Sequence, residues 1–135
     1  MTHAQEMWET HPRTASVDAG PVVACIEACF DCVQTCTACA DGCLGEDDVG
    51  MVIRCIRLCQ DCSDVCVTTG RVMSRQTEFA PERARAIVEA CAQACGACAE
   101  ECERHAGHHE HCRVCAEACR RCEKACRDAL SALAA

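Results

Sequence analysis

Nineteen of the 135 residues are cysteine, and they fall in four groups. The groups are Cys25, Cys29, Cys32, Cys36, Cys39 and Cys43; Cys55, Cys59, Cys62 and Cys66; Cys91, Cys95, Cys98 and Cys102; and Cys112, Cys115, Cys119, Cys122 and Cys126. Within every group the gaps alternate between 3 and 4 residues. That alternation places all the sulfurs of a group along one face of an α-helix. Chance does not hold one register through 15 consecutive intervals, and neither a strand nor a zinc-knuckle turn needs it.

The intervening segments read as turns. Gly42 and the stretch Leu44 to Gly50 end one helix and begin the next, with Glu46, Asp47 and Asp48 placed as acids at the new N-terminus. Gly70 to Glu78 is a longer connection, and Pro81 suits the first turn of a third helix. Arg104 to His109 makes the last link, and Asp18 with Pro21 marks the first start. The spacing predicts helices over 21–43, 49–72, 80–105 and 109–132, each about 33–39 Å long at about 1.5 Å per residue. Short connections make neighbours antiparallel. The fold class is therefore all-α, an up-down-up-down four-helix bundle over residues 18–135 with cysteine at its inward positions. Residues 1–17 lie outside the pattern and are read as a separate N-terminal segment, a short helix at a subunit contact.

Composition supports a sulfur interior. Leu, Ile, Val and Phe together number 21, and the only aromatics are Trp8, Phe30 and Phe79. So few large apolar residues with a net charge of −8 would ordinarily indicate disorder. Ile26, Phe30, Val33, Leu58 and Val65 flank cysteines and are expected to seal the seams between helices. Cysteine acting merely as a small core hydrophobe is the competing reading, and the near absence of Leu counts against it. The acidic balance argues against a nucleic-acid partner or an anionic membrane surface, since either needs a basic stripe. No uninterrupted apolar run approaches the roughly 20 residues of a spanning helix. The first residues carry neither a basic start nor an apolar stretch, so no secretory signal is read and the cytosol is expected, where thiols stay reduced.

Extending the helical register past the outermost cysteines distinguishes two poles. One collects Val22, Thr69, Met73, Ala84, Val88, Ala129 and Leu133 and reads as an apolar plug. At the other the register reaches Val52, His105 and His108, and the topology gathers His105, His108, His109, His111 and Met51 around one mouth. These five are candidate ligands beside the nineteen cysteines. A solvated polar loop is the alternative for the histidines, and core packing the alternative for Met51. Arg113, Arg120, Arg121, Lys124 and Arg127 read as a solvated face.

Thiolates three or four residues apart on a helix can converge on one ion, which suits a soft two-coordinate cation such as Cu(I). Zinc asks for closed sets of four, and a continuous stripe offers pairs instead. Iron–sulfur ligation usually shows a compact turn ending in Cys-Pro, and no cysteine here precedes proline. A zinc or general heavy-metal buffer, an iron–sulfur carrier and a disulfide scaffold remain the rival classes, although sulfurs on one helical stripe meet disulfide geometry poorly. If each thiol releases one proton and each Cu(I) brings one charge, a dry interior keeps its net charge at about one ion per cysteine, on the order of 15–20 per chain. No catalytic triad, carboxylate pair or phosphate-binding glycine loop stands out, and no enzymatic activity is expected.

The Cys-x3-Cys-x2-Cys-x3-Cys runs at Cys25–Cys43, Cys55–Cys66 and Cys91–Cys102, with the run Cys112 to Cys126, resemble the bacterial copper storage proteins, specifically their cytosolic branch. The resemblance covers about residues 18–132. It implies a four-helix bundle filled with many Cu(I) ions, a homotetramer, uptake through a mouth bearing His or Met, and a copper-delivering or copper-accepting protein or thiol as partner.

Overall fold

The computed structural model describes residues 2–134, and these form five α-helices and one short 3-10 turn. A seven-residue helix α1 (His3–Glu9) precedes four long ones, α2 (Ala19–Leu44), α3 (Ile53–Met73), α4 (Pro81–His105) and α5 (Glu110–Leu133). The long helices agree with the cysteine periodicity to within a few residues. The one clear difference lies at the start of α3. The stretch Val49–Met51 is a 3-10 turn, and α3 begins after it with no acidic residue in its first turn. Glu46 and Asp48 therefore do not serve the α3 dipole; both turn to histidines at the mouth. Pro81 opens α4, where its missing N–H costs nothing.

Consecutive helices pack side by side, and α5 returns to α2, closing a four-membered ring. Short turns between long helices give the antiparallel up-down-up-down order. All nineteen cysteines are buried and unpaired by disulfide. Around them the seams are sealed with modest side chains: Ile26 is buried, Val33, Leu58 and Val65 are half-buried, and Phe30 lies across Gly70 while keeping 41% exposure. Gly70 lets the ring lie this close, because a Cβ there would sit 2.8 Å from it and the ring would have to swing outward. Salt bridges such as Arg120 to Glu103 and Arg127 to Glu89 cover the outside of the α4–α5 pair.

By hydropathy alone α2 qualifies as long and apolar enough to cross a membrane, with a mean of 1.4 over an 18-residue window. Its valines, Ile26 and Phe30 raise that value together with its alanines and cysteines, and its cysteine face lies inside the bundle.

The plug pole is built as the register predicts. Val22, Thr69, Met73, Ala84, Val88, Ala129 and Leu133 are all buried. Residues 3–9 add to it, since α1 packs on α2 and Trp8 joins the same apolar cluster. Buried Gln76, in the α3–α4 connection, ties the segment down by donating to the Trp8 carbonyl at 3.0 Å and accepting from the Ala15 amide at 2.9 Å. The N-terminal segment thus contains the expected short helix, packed on the bundle at this pole.

Candidate metal centre

Each helix carries its sulfurs inward, and the four stripes meet on the bundle axis. Diagonal neighbours touch there: Cys29 of α2 lies 3.8 Å from Cys91 of α4, and Cys59 of α3 lies 3.8 Å from Cys115 of α5. From the plug, the column begins with Cys25 and Cys126 at 3.9 Å. It continues through the sets Cys29–Cys66–Cys91–Cys122, Cys32–Cys66–Cys95–Cys122, Cys32–Cys36–Cys62–Cys119 and Cys36–Cys98–Cys115–Cys119. Contacts along the way are 3.5 Å for Cys66 to Cys95, 3.5 Å for Cys36 to Cys119 and 3.6 Å for Cys98 to Cys59. Cys55 and Cys102, 3.6 Å apart, carry the chain of contacts towards the mouth.

These sets of four correct one expectation. A tetrahedron with metal–sulfur bonds of about 2.3 Å has sulfur–sulfur edges of about 3.8 Å, and the observed contacts bracket that value. Sets of four do exist, assembled from different helices rather than along one stripe. Their corners are shared, however: Cys66, Cys122, Cys32, Cys36 and Cys119 each belong to two sets. Neighbouring sets that share corners cannot all be closed zinc sites at once. They suit thiolates that bridge neighbouring monovalent ions.

The mouth ends in a mixed set, Cys39, Cys43, Cys112 and His111. His111 Nδ1 lies 3.4 Å from Cys39 Sγ and 3.7 Å from Cys112 Sγ. The ring rests on Gly42, where a Cβ would come within 3.2 Å of its Cγ and Nδ1. Burial pushes the thiols here upward: Cys43 is raised, and Cys112 moves from the ordinary 9.0 to about 11. Deeper in, neighbouring sulfurs govern titration. A hydrogen bond from Cys126 brings Cys25 down to about 5, while Cys126 is itself held up, first by its contact with Cys122.

The other mouth candidates are placed differently. His105, which lies on the extended register, donates from Nε2 to buried Glu101 at 2.9 Å instead of facing sulfur. His108 is exposed in the α4–α5 turn. His109 directs Nδ1 to Glu46 at 3.0 Å and Nε2 to Asp48 at 3.2 Å. Met51 is 72% exposed, so its side chain is not packed in the core. Register singles out His105 and His108, yet the histidine in contact with sulfur is His111. The available signal is its place one residue before Cys112, at the edge of the inward stripe and facing α2. Glu46, Asp48 and Gly42 carry no such mark, and only the meeting of the two end turns shows their part.

No curated protein matches the chain. The profile of the copper storage protein family matches residues 19–131. Among solved structures, the copper storage protein of Streptomyces lividans loaded with 10 copper equivalents is 49% identical with a TM-score of 0.93, over 96% of this chain and 98% of that one. A cytosolic copper storage protein from Streptomyces lividans with five coppers is 54% identical with a TM-score of 0.81, over 82% and 92%. The Cu(I)-bound copper storage protein BsCsp3 of Bacillus subtilis is 39% identical with a TM-score of 0.69, over 77% and 92%. A profile match over most of the length, on a bundle whose axis is a column of touching thiols, makes this chain a member of the copper storage protein family.

Proposed function

We propose that this chain holds Cu(I) in the cytosol on all nineteen cysteines, at about one ion per cysteine and on the order of 15–20 ions per chain. The single observation that carries this is the unbroken column of buried sulfurs with shared corners, since each shared thiolate can bridge two ions and balance one charge. Copper enters at the mouth, where Cys39, Cys43, Cys112 and His111 form the first complete ligand set, and moves inward by exchange between adjacent sulfurs 3.5–4.0 Å apart. No helix has to open for that exchange. Retention follows from burial and multiple ligation, so release needs a competing thiol or an accepting protein at the mouth.

His105, His109 and His108 act around the mouth rather than in the sulfur column, and Met51 offers an exposed thioether beside it. The role is storage without catalysis. The subunits assemble as a homotetramer, with α1 and the exposed Met7 and Phe30 near one another on the outer surface.

Anaerobic Cu(I) titration of the reduced protein, followed by mass spectrometry, tests the stoichiometry. Saturation near 15–20 ions is expected, and saturation at four or five would overturn the bridging column. Native mass measurement of the same sample gives the subunit count.

A further inference from the structure

Two carboxylates at the mouth have no part in the storage scheme so far. Glu46 lies in the α2–α3 connection; its Oε2 accepts a hydrogen bond from His111 Nε2 at 2.8 Å and lies 3.0 Å from His109 Nδ1. Asp48 Oδ2 accepts from the remaining nitrogen of His109 at 3.2 Å. The two imidazoles stack, with centroids 5.6 Å apart and planes within 12°. Glu46 therefore hydrogen-bonds one of two parallel rings and lies against the other, and the ring it bonds, His111, is the one that reaches sulfur.

A neutral imidazole carries its hydrogen on one nitrogen and a lone pair on the other. With Glu46 taking the Nε2 hydrogen, the Nδ1 lone pair of His111 points to Cys39 and Cys112. Metal-binding histidines commonly have their second nitrogen held by a carboxylate in this way, which sets both tautomer and ring orientation. The backbone cooperates. Gly42 leaves room for the ring, and stacking on His109 confines it further. His109, with both nitrogens on carboxylates, is a brace rather than a ligand.

We infer that Glu46 is a positioning residue for copper uptake, acting through His111: it holds the ring so that Nδ1 completes a ligand set with Cys39, Cys43 and Cys112 for an arriving Cu(I). This rests on the proposal that copper passes this mouth. No electron moves; the ion exchanges its external ligand for Nδ1 and sulfur, and the thiol protons leave to solvent.

The test is anaerobic stopped-flow transfer of Cu(I) from a chromophoric chelator to wild type, Glu46→Ala, Glu46→Gln, His111→Ala and the double variant Glu46→Ala/His111→Ala. Glu46→Ala is expected to slow the first phase by about 10-fold or more while the final number of ions per chain stays at the wild-type value. Glu46→Gln keeps an oxygen that accepts from Nε2 and recovers most of the rate, and the double variant is no slower than His111→Ala alone. A wild-type rate for Glu46→Ala, a loss that adds to that of His111→Ala, or a Gln variant as slow as the Ala variant each overturns the inference. Nitrogen-15 NMR of the copper-free wild-type protein tests it without any substitution: the hydrogen of His111 is expected on Nε2, and finding it on Nδ1 overturns the inference. Failure of wild type to take up copper at all would instead refute the storage proposal.

Discussion

The two poles of the bundle end the same sulfur column in opposite ways. At one, Val22, Met73, Val88, Leu133 and Trp8 close over Cys25 and Cys126. At the other, the last sulfurs meet an imidazole whose far side is bonded to a half-exposed carboxylate. An apolar cap offers a cation no stepwise replacement for its ligands, whereas a mouth of nitrogen, sulfur and carboxylate does. On the proposed storage reading this makes a single-ended vessel, filled and emptied through one opening while the other end supplies packing.

The largest expected effect sharpens that contrast. An ion that binds the folded column at about 1,000 times its dissociation constant adds about 4 kcal/mol per site. At about 2–4 °C per kcal/mol for a chain of this size, loading should raise the melting temperature by more than about 10 °C, and a strong Cu(I) chelator should reverse it. Hydrogen exchange should gain more protection around Cys39 and Cys112 than around Val22 and Met73, which packing already holds. An unchanged melting curve would mean that the ions lie outside the column.

Breaking the plug comes next. Met73 is fully buried, and Met73→Ala should cost about 2–5 kcal/mol through lost contacts and a cavity, read as a lower denaturation midpoint of the copper-free protein. Ion capacity should be unaffected, because no sulfur is removed. Reduced capacity would show that the plug shapes the ligand sets.

A smaller effect is expected from alkali. Cys112 is held at about 11 against an ordinary 9.0, so the folded state keeps a proton there that the unfolded chain releases. Its contribution is complete below pH 9 and disappears as pH rises through about 11. Thiols that neighbours hold low, such as Cys25, contribute with the opposite sign, and that contribution levels off once the unfolded thiols have ionised above about pH 9. Melting of the copper-free protein should therefore weaken between pH 9 and 11, and the loaded protein, whose thiols have already lost their protons to metal, should not follow. Equal pH dependence in both forms would contradict this.

The smallest effect on stability, under about 1 kcal/mol, is expected for Gly42→Ala. The new methyl meets the His111 ring at about 3.2 Å, so the ring must shift and the first phase of copper uptake should slow while the fold persists. Uptake at the wild-type rate would show that the position of the ring does not control passage.

Much of this was legible in advance. The spacing of Cys25 to Cys43 and its three counterparts determines which face of each helix points inward, and residues such as Val22, Met73 and Leu133 continue the same register into a plug. The mouth was legible only as a neighbourhood. Register marks His105, yet a carboxylate one turn earlier on its own helix, Glu101, draws the ring away. His111 is off the register but reaches sulfur because Gly42 of a neighbouring helix leaves a seat for it. Glu46 and Asp48, which a local view assigns to a helix dipole, face histidines some sixty positions further along.

The amino-acid order by itself determined the helices, the sulfur face of each, the closed pole and the kind of ion such a face can hold, because a repeat of 3 and 4 residues acts within one helix and needs no partner. Tertiary structure alone decided which sulfurs touch, that sets of four share corners, and that His111 is the ring at the mouth. Those outcomes depend on the axial offset and rotation of one helix against the next. A shift of a single ångström there exchanges one neighbour for another while leaving every local spacing unchanged.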